Sequence, residues 1–211
     1  MTIMVFAAHP DDEVLGCGGV IARLTEQGEK VISVIFSYGE KFPPWVSGEK
    51  LVRKRVRESK KADEILGTYK TIFMGFSDLE VANSVNEKTV EKVSGLIIEF
   101  NPEKIFYHSK NDTHPDHIAV NRIVDMALEK SKNNPERYEF EVSNMINLFN
   151  RNDATIIWDI SDTFRKKIRA LRQFKSQSVL LDLLVPIVIF KMMLNGKKYG
   201  FKYAEKYYLI E

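Results

Sequence analysis

Apolar and polar positions along this chain switch between two periods, and the switching predicts an ordered series of strands and helices. Thr2 to Ala8 is a continuous apolar run, the pattern of a strand buried on both faces. From Val14 to Gln27 the apolar positions take helical spacing, and Gly28 closes the segment. Lys30 to Ser37, β-branched and apolar, reads as a second buried strand, and Leu51 to Leu66 as a charged amphipathic helix stopped by Gly67. Thr71 to Phe76 is a short strand, Glu87 to Phe100 a helix ended by Asn101-Pro102, Lys104 to Ser109 a strand, and Pro115 to Lys130 a helix. This alternation predicts an α/β, Rossmann-like fold: a mostly parallel sheet with helices on both faces.

The second half is less regular. Ser131 to Glu136 reads as a loop, and Tyr138 to Phe149 and Thr155 to Ile160 as strands. Ser161-Asp162 is placed to cap a helix running to about Gln177. No repeat, low-complexity tract or long linker divides the chain, so residues 1–211 are expected to form a single domain. Val179 to Leu194 is apolar but contains Asp182, Pro186 and Lys191, and it falls short of the roughly 20 apolar residues of a membrane span. It reads as a core helix or a subunit contact, ahead of a membrane-surface patch.

Composition narrows the classes. With 211 residues, 44% hydrophobic and 28% charged, the chain has the make-up of a globular protein with a sizeable core. A formal net charge of +2 gives no reason to expect a nucleic-acid partner. The basic run from Lys50 to Lys61, interleaved with Glu58, reads as the solvated face of one helix. Cys17 is the single cysteine, so no internal disulfide can form and a reducing, cytoplasmic setting is expected. The N-terminus lacks the basic start and longer apolar region of a signal peptide, and membrane association is not expected.

Three of the four histidines lie in two short segments, His9-Pro-Asp-Asp-Glu13 and His114-Pro-Asp-His117. Proline holds the residue before it extended and suits the first turn of a helix, so each leading histidine is fixed at a strand-to-helix corner. Residues three apart then converge, His9 on Asp12 and His114 on His117. Taken singly, a His-Pro or Asp-Asp pair is a cap or turn device, Cys17 a small core residue, and His108 a satisfied polar group at a strand end. The cluster Gly16-Cys-Gly-Gly19 suggests close helix–sheet packing or a phosphate cradle, without the spacing of a dinucleotide fingerprint. Both His-Pro-Asp segments, however, follow strands at the carboxyl edge where open α/β sheets bind ligands.

His9, Asp12 and His117 would then supply two imidazoles and a carboxylate with coordination positions left open, as a catalytic metal requires. Zinc is the expected ion, with iron(II) or another divalent metal compatible; zinc lowers the pKa of bound water to roughly 7. Asp11 is the candidate general base, and His114 the candidate group for the tetrahedral intermediate. The same triad also suits a non-haem iron(II) oxygenase, and the glycine cluster alone suits a nucleotide- or metal-binding module. The spare acids and His114 favour hydrolysis.

At these residues the chain resembles the PIG-L/LmbE-like family of metal-dependent N-acetylglucosaminyl deacetylases. The resemblance rests on Ala8-His-Pro-Asp-Asp-Glu13 with Gly18-Gly19, and on His114-Pro-Asp-His117. It continues in Arg55-x-x-Glu58 with Ala62, Ile65-Leu-Gly67, Gly75-Phe-Ser-Asp78, Trp158-Asp-Ile-Ser161, Lys167, Ser176-Gln177 and Tyr203-Ala-Glu205. It implies that His9, Asp12 and His117 ligate the metal, that Asp11 activates the attacking water, and that His114 stabilises the oxyanion while Asp116 orients and charges it. It implies further that Arg55 contacts the sugar and Asp78 its hydroxyls. The expected partner is a small N-acetylated amino sugar or conjugate. Val179 to Lys198 carries no sugar-binding pattern, and a cleft wall borrowed from a neighbouring subunit of a homo-oligomer is open.

Overall fold

The structure, a computed structural model, describes residues 1–41, 48–142 and 154–210. The chain runs through β1 (Thr2–Ala7), α1 (Asp12–Glu26), β2 (Lys30–Ser37), α2 (Gly48–Leu66) and β3 (Lys70–Phe76). It continues with α3 (Glu87–Phe100), β4 (Lys104–His108), α4 (Pro115–Ser131) and β5 (Glu136–Phe140). Then come β6 (Thr155–Asp159), α5 (Phe164–Leu171), α6 (Ser178–Lys198) and β7 (Ala204–Ile210). The strands form one sheet in the order β3-β2-β1-β4-β5-β7-β6, parallel from β3 to β5, with β7 antiparallel to both its neighbours.

The apolar run of β1 is explained by two cores. Ile3 and Val5 join a core with α1, α2, α5 and α6, whereas Met4, Phe6 and Ala8 join the core under α3 and α4. Side chains alternate across a strand, so a central strand covered by helices on both sides must be apolar at every position. The order reverses at β1, which lies between β2 and β4, and such a switch point opens a crevice beyond the strand ends.

The glycine cluster is a packing device. A Cβ on Gly16 would lie 2.3 Å from the Phe140 ring, and one on Gly19 would lie 2.7 Å from Ile160. Here α1 is also bonded by polar groups from elsewhere. Lys167 Nζ donates to the Leu15 carbonyl at 2.7 Å, while the Gly19 and Val20 N–H groups donate to the Glu205 carboxylate at 2.9 Å each. Leu15 C=O and Gly19 N–H are i and i+4 of one turn of α1, which runs unbroken from Asp12 to Glu26. Lys167 and Glu205 lie 2.6 Å apart and are almost fully buried.

Three expectations change in the second half. The helix expected from Ser161 to Gln177 is only α5; the chain breaks after Leu171 and makes a separate 3₁₀ turn at Lys175–Gln177. The strand expected from Tyr138 to Phe149 is described as Glu136–Phe140, and residues 143–149 lie outside the described residues. The apolar segment expected as a core helix is the 21-residue α6, of which only Leu181, Met192 and Gly196 are buried. Its outer side is open, with Val179 at 74%, Leu183 at 67% and Phe190 at 60% exposure.

Candidate metal centre and active site

Two strand-to-helix corners build the site. After β1, Ala8 N–H donates to His108 Nε2 at 3.1 Å, which ties the strand end to neighbouring β4. Asp11 then takes φ 110°, a left-handed conformation rare for a residue with a side chain and worth about 1–3 kcal/mol of strain. The strain is held from several sides. Asp11 C=O accepts from Val14 and Leu15 N–H at 3.0 and 2.7 Å, and its own N–H donates to Glu13 Oε2 at 3.0 Å. His9 N–H donates to Asp12 Oδ2 at 2.9 Å, so Asp12 points back across the turn.

The second corner follows β4. His114 occupies the N-cap of α4 in an extended conformation, and Pro115 opens the helix, as the His-Pro pattern predicts. His114 Nδ1 accepts from Asp116 N–H at 3.2 Å, and Asp112 Oδ1 accepts from His114 N–H at 3.0 Å. Because β1 and β4 are paired, the two corners face each other across the crevice.

There His9, Asp12 and His117 come together, buried, with ligand atoms all within 4.8 Å of one another. Asp12 Oδ2 is 3.3 Å from His9 Nδ1 and 3.2 Å from His117 Nε2. His117 Nδ1 lies 3.0 Å from Asp112 Oδ1, which directs Nε2 toward Asp12. A carboxylate behind a ligating imidazole is the usual support of a metal-binding histidine. Two overlapping sets, His9/His114/Asp116 and His108/Asp112/His117, meet the same spacing. Each includes a residue that does not line the cleft shared by His9, Asp12 and His117: Asp116 in the first set, His108 and Asp112 in the second. The donor set that fits a divalent metal best is therefore His9, Asp12 and His117.

The charges follow from this crowding. Burial disfavours a charged His117, but Asp12 and Asp112 outweigh it and raise its pKa to about 9. His9 is likewise raised, against burial, by Asp116, Asp12 and Asp78. Asp12 is held well below the usual carboxylate range despite burial, because His117, His108 and His9 surround it. His108, buried and beside His117, falls to about 4 and is neutral. Asp11 moves the other way: burial, then the Asp12 charge, raises its pKa well above the usual value.

His9, Asp11, Asp12, His114 and His117 line a cleft of about 520 Å³, together with Arg55 from α2, Asp78 after β3, and Leu180 and Leu184 from α6. Arg55 Nη1 donates to Tyr38 C=O at 3.2 Å; Gly39, at φ 64°, leaves it room, since a Cβ there would lie 2.0 Å from Nη1. Asp78 Oδ1 is 3.2 Å from His9 Nε2. Asp116 is fully buried behind His9, with Oδ2 3.3 Å from His9 Nε2 and accepting from Leu79 N–H at 2.9 Å. Its link to His114 runs through its backbone N–H.

Two residues that sequence reasoning did not assign also belong here. Asp112 supports His117, and Gln177 Nε2 donates to Asp11 Oδ2 at 2.6 Å. Gln177 stands in the quoted Ser176-Gln177 pair, but only the fold brings it 166 positions back to Asp11.

An open α/β sheet carrying a buried His/Asp/His cluster, with a further carboxylate in the same cleft, defines a class of metal-site enzyme. Within that class the chain belongs to the PIG-L family, whose model, described as GlcNAc-PI de-N-acetylase, matches residues 4–128. A probable N-acetyl-alpha-D-glucosaminyl L-malate deacetylase 2 of Bacillus cereus is 27% identical over 187 residues, covering 83% of each chain. The diacetylchitobiose deacetylase of Thermococcus kodakarensis is 24% identical, over 96% of this chain and 80% of its own. The fold is also that of GalB, the 4-carboxy-2-hydroxymuconate hydratase of Pseudomonas putida: TM-score 0.84, 23% identity, 100% of this chain and 96% of that one.

Proposed function

We propose that this chain hydrolyses the acetamide of an N-acetylglucosamine-type sugar or conjugate, releasing acetate and a free amine. What supports this most is the setting of Asp11, a buried carboxylate of raised pKa that shares one cleft with the His9/Asp12/His117 cluster. The sequence relatives named for N-acetylglucosaminyl-malate and diacetylchitobiose deacetylation carry the substrate class. Zinc as the resident ion and the cytoplasm as the compartment belong to the same reading.

His9, Asp12 and His117 would hold the metal, which when bound supplies a Lewis acid and lowers the pKa of water. Asp11 takes the proton of the attacking water. Its raised pKa makes it the stronger base, and the hydrogen bond from Gln177 fixes one oxygen so that the other can receive the proton. His114 is lowered from its ordinary pKa by burial and by His117 and His9, so its ring is neutral at pH 7. Since Nδ1 accepts from Asp116 N–H, the proton sits on Nε2, the donor needed for an oxyanion. The leaving nitrogen must be protonated before the C–N bond breaks, and the proton held on Asp11 balances that step. Arg55 and Asp78, buried in the wall of the same cleft, would bind the sugar hydroxyls.

A hydratase built on this fold makes the chemical products the deciding measurement. Asp11→Asn should keep its metal, measured by elemental analysis, and lose roughly a hundredfold or more of amine and acetate release. His9→Ala should lose both. Near-normal turnover in Asp11→Asn would remove Asp11 as the base, and wild-type protein releasing no amine from any N-acetylglucosamine compound would overturn the reaction class.

A further inference from the structure

Two surface features remain unused by this chemistry: the basic ridge of α2 and the open side of α6. Val179, Leu183, Pro186, Phe190 and Met193 are all exposed and follow one another at intervals of four, three, four and three residues. They form one outward ridge roughly 20 Å long. Monomers seldom leave such a continuous apolar surface in water. Contrary to the expectation that this segment is too short and interrupted for a span, α6 is long and apolar enough by composition to cross a membrane, but it is fastened to the domain at both ends. Gln177 holds Asp11 at its start, and at its end the chain turns back over Gly196 and enters the sheet as β7, paired with β5 and β6. Leu181 and Met192 between them are in the core. The helix lies along the surface.

Its surroundings are basic. Lys50, Lys54, Arg57 and Lys61 are exposed along one side of α2. Lys54, Arg57 and Lys61 share a cleft of about 240 Å³ with Lys175, which stands just before α6, and with the buried Glu58, whose Oε1 lies 4.0 Å from Lys54 Nζ and offsets one of the four positive charges. Lys197, Lys198 and Lys202 are exposed at the other end, beside the half-exposed aromatic rings of Tyr199 and Phe201. Asp182 is the one acid in α6.

We propose that α6 and the basic side of α2 form a docking surface for an anionic lipid membrane. The apolar ridge would enter the headgroup region, with the lysines and Arg57 on the phosphates around it. Charge decides between a bilayer and a second copy of this chain. An antiparallel pairing of two α6 ridges would bring Lys175 of one copy toward Lys197 and Lys198 of the other. A parallel pairing would set Lys197 and Lys198 against themselves. Both oppose like charges, whereas an anionic surface attracts both ends of the helix. Leu180 and Leu184 of α6 and Arg55 of α2 also line the active-site cleft, so docking would set its mouth at the membrane surface. This surface stands apart from the amide reading, because a chain that released no amine could still bind vesicles.

The test is flotation of the full chain with phosphatidylcholine vesicles, with and without phosphatidylglycerol. The chain should float with the mixed vesicles and bind neutral ones at least about tenfold more weakly. Phe190→Glu, and separately the charge reversal of Lys54 and Lys175, should each reduce flotation by roughly tenfold or more. Leu183→Asn is a milder companion, and unchanged thermal unfolding of the variants shows that they fold. Phe190→Glu should still turn over a soluble acetamido sugar as wild type does. No flotation with anionic vesicles overturns the proposal. So does a concentration-dependent dimer in light scattering that Phe190→Glu dissolves while wild type ignores vesicles, which assigns the ridge to a second copy.

Discussion

Asp112 decides which nitrogen of His117 is presented to Asp12. With Asp112 at Nδ1, the ring keeps Nε2 on the side of the cluster. Asp112 is itself positioned by N–H groups from His114 and Val142, so its carboxylate is oriented before any metal arrives. Asp112→Ala is expected to weaken metal binding by about ten- to a hundredfold without removing a ligand. Titration against a chromogenic chelator reads this directly, and an unchanged affinity would take Asp112 out of the site. The sequence could not assign this residue, because Asp112 stands among Ser109, Lys110 and Asn111, where a turn explains it equally well. His9, Asp12 and His117 were legible because proline fixes a histidine at a corner and the strand order brings two such corners to one edge.

Lys167 and Glu205 act at the scale of the element, since they bond to α1 at Leu15 C=O and Gly19 N–H. Removing one partner leaves a buried charge, at a cost of about 3–5 kcal/mol. Lys167→Met should lose that much in urea unfolding, with Glu205→Gln as a second substitution recovering part of it. A loss below about 1 kcal/mol would mean that water enters the site and replaces the pair. A half-buried acid, Asp63 of α2, accepts from Thr71 Oγ1 at 2.8 Å on β3. Burial, opposed in part by the hydrogen bond from Thr71, raises its pKa to about 6. A folded pKa above the unfolded one favours folding fully below about pH 3.8, and that contribution is lost as pH rises through 6. Asp63→Asn should therefore unfold less readily than wild type at pH 8, by up to about 3 kcal/mol, with the gap closing near pH 4. A gap independent of pH would show that Asp63 is ionised at no cost. The elements least legible in the sequence lie beyond residue 160. Hydropathy gives α6 no sidedness because its open face is as apolar as its packed one. β7 was visible only as the quoted Tyr203-Ala-Glu205, since Lys206 and two tyrosines blur a strand pattern that pairing with β5 and β6 decides.

Across the whole molecule, the expected α/β order is observed from β1 to α4, and the metal cluster is its consequence, assembled from corners about a hundred residues apart. The cluster therefore joins α1 to α4 across the sheet edge. Without a metal, the buried His9, Asp12 and His117 must satisfy one another, whereas a bound divalent ion links the two halves of the crevice only when the chain is folded. Binding to the folded state alone adds about 2.7 kcal/mol at a hundredfold excess over Kd. For a chain of this size that corresponds to a fall of roughly 5–10 °C in Tm when the metal is stripped. Calorimetry before and after chelation, then with one equivalent of zinc or iron(II) restored, measures both the size of the effect and which ion reverses it. The His9→Ala variant should show no such shift with either ion. A wild-type Tm indifferent to chelator and to both metals would mean that these buried charges are a structural network and that the cluster holds no metal.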